Sequence, residues 1–110
     1  MNGILVFAAL SAACAVAAGA FGAHAASGQA VEWLKTGALY QMVHAVAAIA
    51  VLRLDVKGPA VLFLAGGALF AVTLYLMALG LPRWLGAVTP IGGTLLIAGW
   101  LWLAWRAARG

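Results

Sequence analysis

Along this chain the apolar positions come in long unbroken runs, separated by single charges. No formal charge occurs from Met1 to Val31. The most apolar part of that run, Ile4 to Ala23, would form about 30 Å of helix, matching the hydrocarbon core of a bilayer. A second run spans Thr36 to Leu52 and is short enough that its helix is expected to begin near Gln29. Gly58 to Pro82 and Trp84 to Trp105 are the third and fourth runs. Backbone N–H and C=O groups in lipid must be satisfied within the segment, so each run is expected to be a helix. The strict alternation of a membrane barrel strand is absent. The pattern predicts one domain over residues 1–110, with helices at about 3–23, 29–52, 59–80 and 85–106.

The connections are short. Arg53 to Lys57 is a tight polar turn closed by Gly58-Pro59, with Pro59 suited to the first turn of helix three. Gly80 to Arg83 turns helix three into helix four. The longer link, His24 to Lys35, is expected to hold an interfacial amphipathic turn capped by Ser27. Short links make successive helices antiparallel neighbours. The expected fold is therefore all-α: a polytopic four-transmembrane-helix antiparallel bundle.

Composition points the same way. Apolar residues make up 67% of the 110 positions and charged residues only 7%, against about 25% in a soluble domain. Too little polar side chain is present to clothe a water-exposed surface, which excludes a soluble globular fold and a disordered chain. One cysteine, Cys14, excludes a disulfide scaffold and reads as a small packing residue. The first run lacks a basic leader and exceeds a signal h-region, so it is expected to be a retained helix despite the small-x-small stretch Ala23-His24-Ala25. The net charge of +4 comes from cations scattered between apolar runs, so nucleic acid is not an expected partner. Membrane lipids are expected ones.

Counting Lys and Arg sets the orientation. Arg53, Lys57, Arg106 and Arg109 share a side with both termini, whereas Lys35 and Arg83 share the other. The termini are expected to be cytoplasmic, in an inner membrane. Trp33 and Trp84 would mark the outer interface, and Trp102 and Trp105 the inner one.

Helix association in lipid relies on close backbone approach and interhelical hydrogen bonds. Small or polar stripes are legible on each helix, and Gly19, Gly22, Gly37, Gly66, Gly92 and Gly93 are the expected packing positions. Polar side chains at membrane depth are functional candidates. Counted from the starts of the uncharged runs (Thr36 for helix two), His24, Tyr40, Gln41, His44, Thr73, Tyr75 and Thr89 form one outer-leaflet cluster, with Gln41 and His44 sharing a network with Tyr40 or Thr89. His44 needs a partner for each ring nitrogen, and proton handling or haem ligation are its sharper roles. An alternative start of helix four at Pro90, with Thr89 as its cap, could turn free N–H groups towards a small anion or carboxylate, where the plainer reading is a kink or a capped start near the interface. No metal or other cofactor is expected. Catalysis has no support: Asp55 and Glu32 lie far apart beside cations, and no nucleophile has a neighbouring base.

Four motifs occur in order: Ala18-Gly19-Ala20-Phe21-Gly22-Ala23-His24; Thr36-Gly37-Ala38-Leu39-Tyr40-Gln41-Met42-Val43-His44-Ala45; Gly67-Ala68-Leu69-Phe70 with Leu74-Tyr75; and Thr89-Pro90-Ile91-Gly92-Gly93 with Gly99-Trp100. In these the chain resembles the small four-helix membrane family known as domain of unknown function 423, which includes the eukaryotic transmembrane protein 256. Where that family often has Ser-Gly-Ser after helix three's Leu-Phe, this chain has Ala71-Val72-Thr73, and Thr73 keeps a hydroxyl. The resemblance implies a multi-pass inner-membrane protein without an established activity. The expected function is non-enzymatic: binding a small molecule, lipid or partner helix through the polar cluster, with homo-oligomerisation or a partner membrane protein. A transporter or channel subunit is one alternative, and a haem- or quinone-binding redox protein the other.

Overall fold

The computed structural model describes residues 2–110. It contains four long helices, α1 (Gly3–His24), α2 (Gln29–Arg53), α3 (Lys57–Ala78) and α4 (Thr89–Arg109). A short 3-10 helix, Arg83–Ala87, precedes α4. Their 21 to 25 residues give about 32–38 Å of helix each, enough to cross the bilayer core. The molecule measures 47 × 27 × 19 Å, with its long axis close to the helix direction.

Helix starts and stops follow from local chemistry. The side chain of Asn2 caps α1, accepting the Leu5 N–H at 3.1 Å. Gly28 holds the N-cap position of α2 at φ +63°, and the Ser27 cap anticipated above is not made. The amphipathic segment after it is simply the first turns of α2. Helices α2 and α3 end alike. Asp55 (φ +61°) and Gly80 (φ +100°) occupy the left-handed position past each helix end. In each case the next residue's N–H returns to a carbonyl five residues back: Val56 to Val51 at 3.0 Å, and Leu81 to Leu76 at 3.0 Å. Helix three thus runs Lys57–Ala78 rather than 59–80, with Pro59 in its first turn as anticipated.

The fourth span is broken. Residues 83–87 wind as 3-10 helix, and α4 begins at Thr89 with no side-chain cap. Thr89 does not cap because its hydroxyl turns towards Thr73 instead. Nor does this helix start offer an anion site. Pro90 has no N–H, and the Ile91 N–H is taken by the Val88 carbonyl at 2.9 Å.

Packing is sequential: α1 against α2, α2 against α3, and α3 against α4. Among the described residues α1 and α4 share no packed interface; both also pack on α3, leaving a seam open between them. Glycines set the closest approaches. A methyl on Gly92 would lie 2.5 Å from the Phe70 nitrogen, and one on Gly66 2.8 Å from the Gly92 oxygen, so α3 and α4 touch backbone to backbone. A methyl on Gly37 would strike the Tyr75 ring at 2.7 Å. At Gly22 it would press on Leu34 at 3.1 Å. Gly19 and Gly93 are different: a methyl there would meet only ordinary contacts at 3.7 and 3.8 Å, so close approach does not require glycine at either. Gly58 and Gly99 make tight contacts the stripes did not indicate, Gly58 beneath the Trp102 ring and Gly99 beneath Phe63.

The apolar core gathers at the end of the molecule that holds both termini. There Ala8, Ala48, Val51, Val56, Ala60, Phe63 and Leu64 pack together. Long apolar side chains elsewhere, such as Leu10, Val16, Leu39, Ile97 and Leu101, project outward into what would be lipid.

Candidate functional site

The buried polar side chains divide into three separate links, each joining different helices. In the first, Gln41 of α2 stands between two neighbours. Its Nε2 donates to the Ser11 Oγ of α1 at 3.1 Å, and its Oε1 accepts from the Tyr75 hydroxyl of α3 at 2.7 Å. Tyr75 reaches Gln41 because helical side chains lean towards the helix N-terminus. Its ring lies along Gly37, and its hydroxyl arrives one turn further along α2.

The second link joins α2 to α4. The Trp100 Nε1–H donates to His44 Nε2 at 3.0 Å, and His44 Nδ1 lies 2.7 Å from the Tyr40 carbonyl. An indole N–H can only donate, so Nε2 must accept. The imidazole is therefore neutral and carries its proton on Nδ1, which donates to Tyr40. Phe63 fills the angle between the two rings, with centroids 5.6 Å from His44 and 4.6 Å from Trp100. The glycine at 99 provides the room for it.

The third link joins α3 to α4. The Thr73 and Thr89 hydroxyl oxygens are 2.6 Å apart. Thr73 also lies 3.0 Å from the Leu69 and Phe70 carbonyls of its own helix. One consistent assignment has Thr89 donating to Thr73, and Thr73 donating back to those carbonyls. No buried side-chain nitrogen or oxygen among the described residues lacks a partner.

The single outer-leaflet cluster is thus corrected. Helix α2 begins at Gln29, so Gln41 is its thirteenth residue of 25 and His44 its sixteenth, at mid-depth and beyond. Trp100 lies eleven residues along α4 from Thr89, about 16 Å of helix, so His44 and Thr89 belong to different levels. Gln41 and His44 do not share a network either. Tyr40 bonds His44 through its carbonyl only, and the residue is 43% exposed. His24 is exposed at the end of α1 and joins none of the links.

Two participants were missed from the sequence, Ser11 and Trp100. Both carried a signal. Ser11 is the one hydroxyl in the middle of an alanine-rich span, at the head of its small-residue stripe. Trp100 is a tryptophan far from either interface, where its N–H needs a partner.

Several recesses open on the outer surface. One of about 210 Å³ is lined by Leu39, Tyr40, Val43 and His44. Another, of about 380 Å³, lies between α1 and α2 beside Gly19, Gly22 and Lys35. At the Lys35 end the Arg83 guanidinium sits 5.5 Å from the Trp33 ring centroid, tying the start of α2 to the α3–α4 connection.

Residues 18–93 match the family described as "Protein of unknown function (DUF423)", a stretch that contains all three links except Ser11 and Trp100. The chain belongs to this family. Its relatives agree over nearly full length. It is 37% identical to a UPF0382 membrane protein of Haemophilus influenzae, covering 98% of this chain and 95% of the relative. It is 39% identical to the UPF0382 inner membrane protein YgdD of Escherichia coli K12, covering 96% and 89%. A UPF0382 membrane protein of Staphylococcus epidermidis is 37% identical over 92% and 91%. No solved structure matches. The protein is accordingly an all-α membrane protein of unknown function with four helices able to cross the bilayer.

Proposed function

We propose that this DUF423 protein is a non-enzymatic inner-membrane protein that seats a hydrophobic small molecule or lipid tail against α2, at the recess formed by Leu39, Tyr40, Val43 and His44. One observation carries the reading: this recess brings the interhelical network to the lipid-facing surface. His44 is held from inside by Trp100 and Phe63, and Tyr40 packs against Phe70 with ring centroids 4.7 Å apart and planes tilted by 34°. The walls are thereby fixed in shape. The buried polar groups are already paired, so their part is to hold the walls rather than to contact a ligand. The same pairing disfavours haem ligation, because both nitrogens of His44 are committed. It disfavours a transport path too, because the polar residues form separate links rather than a continuous lining.

The termini are cytoplasmic in this reading. Four cations and one acid lie at the end holding them, against two cations and one acid at the other.

Native mass spectrometry of protein extracted with its membrane lipids tests the proposal. Val43→Trp should fill the recess and remove a co-purifying adduct from the folded protein. An adduct pattern identical to that of the unaltered protein would contradict it.

The open seam between α1 and α4 favours a second reading, in which the seam receives a partner helix or a further copy of the chain. Cysteine cross-linking between copies in a Cys14→Ser background, with cysteines placed at the exposed Leu10 and Ile97, would support self-association if it gave a specific dimer in bilayers. Only monomer would count against it.

A further inference from the structure

The last two turns of α4 carry a feature that the polar links do not use. Trp102, Trp105, Arg106 and Arg109 recur at spacings of three, one and three, which places all four on one helix face. They line a recess of about 530 Å³ together with Gly110. The face is preorganised at both ends. Trp102 is seated on Gly58 at the start of α3, where a side chain would collide with its ring. The Arg109 guanidinium lies 4.6 Å from the Trp105 ring centroid, so its fork is held in one plane. The chain has only two acids. Glu32 lies at the far end of the molecule, and Asp55 sits in the α2–α3 turn between Arg53 and Lys57. Neither belongs to the α4 face. The start of α3 adds Lys57 and a helix N-terminus without an acidic residue or side-chain cap, so its partial positive charge also falls at this end.

We infer that this face is a binding site for the phosphate headgroup of an anionic phospholipid in the leaflet next to the chain termini. Guanidinium forks one turn apart suit phosphate oxygens. The two indoles lie at the depth where amphipathic rings meet headgroups, with their apolar surfaces available to the upper acyl chain. The site is separate from the Tyr40–His44 recess.

Native mass spectrometry of the detergent-solubilised full chain tests the inference, with dioleoyl phosphatidylglycerol and dioleoyl phosphatidylcholine as probes of equal tail. The unaltered chain should retain the anionic lipid roughly 25-fold better. Arg106→Gln/Arg109→Gln should abolish that preference, at about fivefold per cation. Arg109→Gln alone should lose about fivefold, and keeps the test readable if the double variant fails to fold. Arg83→Gln, at the other end, should leave the preference intact. Millimolar inorganic phosphate should not displace the lipid. Equal retention of the two lipids, a preference that survives the double variant, or displacement by free phosphate would each overturn the assignment.

Discussion

Trp100 donates its indole N–H to His44 across the gap between α4 and α2, at 3.0 Å, and this bond fixes which nitrogen of the imidazole carries the proton. It also couples two helices that are not sequence neighbours. Trp100→Phe removes the donor while keeping a large ring over Phe63. The expected cost is about 0.6 kcal/mol, the average for side-chain hydrogen bonds between membrane helices, and at most about 1.7 kcal/mol. His44→Phe should cost a similar amount, and the double variant little more than either single one, by thermal unfolding in detergent. Additive losses would mean that the two side chains do not interact.

Among the described residues Gln41 is the only side chain whose hydrogen bonds link three helices. Gln41→Leu should remove both bonds, and its effect should be strongly non-additive with Tyr75→Phe. With Thr89→Val it should be additive, because the Thr73–Thr89 link shares no atom with it. A double-mutant cycle for each pair separates three links from one extended cluster.

Glycine substitutions should divide sharply. Gly92→Ala and Gly66→Ala force backbone apart where α3 meets α4, and are expected to cost about 1–3 kcal/mol. Gly19→Ala and Gly93→Ala meet only ordinary contacts, and alanine's helix preference should make them neutral or stabilising by up to about 1 kcal/mol. Melting temperatures of the four variants decide this.

Asp55 holds a left-handed backbone conformation at the end of α2. Asp55→Gly should be neutral or stabilising, whereas Asp55→Val should lose about 1–2 kcal/mol. If Asp55 served mainly to balance Arg53 and Lys57, both variants would lose the same amount.

The four spans were legible because a helix in lipid announces itself by uncharged length. The turn from Arg53 to Lys57 was legible too, but not the left-handed conformation of Asp55, because an acid between two cations suggests charge balance before backbone geometry. The polar residues were legible as candidates but not as pairs. Depth was read from the apolar run starting at Thr36, whereas α2 begins at Gln29, and that shift of two turns separates His44 from Thr89. Partnership depends on the direction in which long side chains lean, which is how Tyr75 reaches Gln41 and how an indole on α4 reaches α2. Glycine spacing marked the α3–α4 contact at Gly66 and Gly92. It could not tell Gly99, which makes room for Phe63, from a glycine with space around it such as Gly93.

The account rests on buried polar groups that are paired inside the chain and hold its helices in place. Solid-state NMR of 15N-histidine- and 15N-tryptophan-labelled protein in lipid bilayers tests this most directly. The expected result is a neutral His44 protonated on Nδ1, with Nε2 unprotonated and hydrogen-bonded to the Trp100 indole proton. Trp100→Phe should abolish that indole-to-imidazole correlation. A His44 protonated on Nε2, or one whose ring nitrogens exchange freely with water and show no indole neighbour, would contradict it.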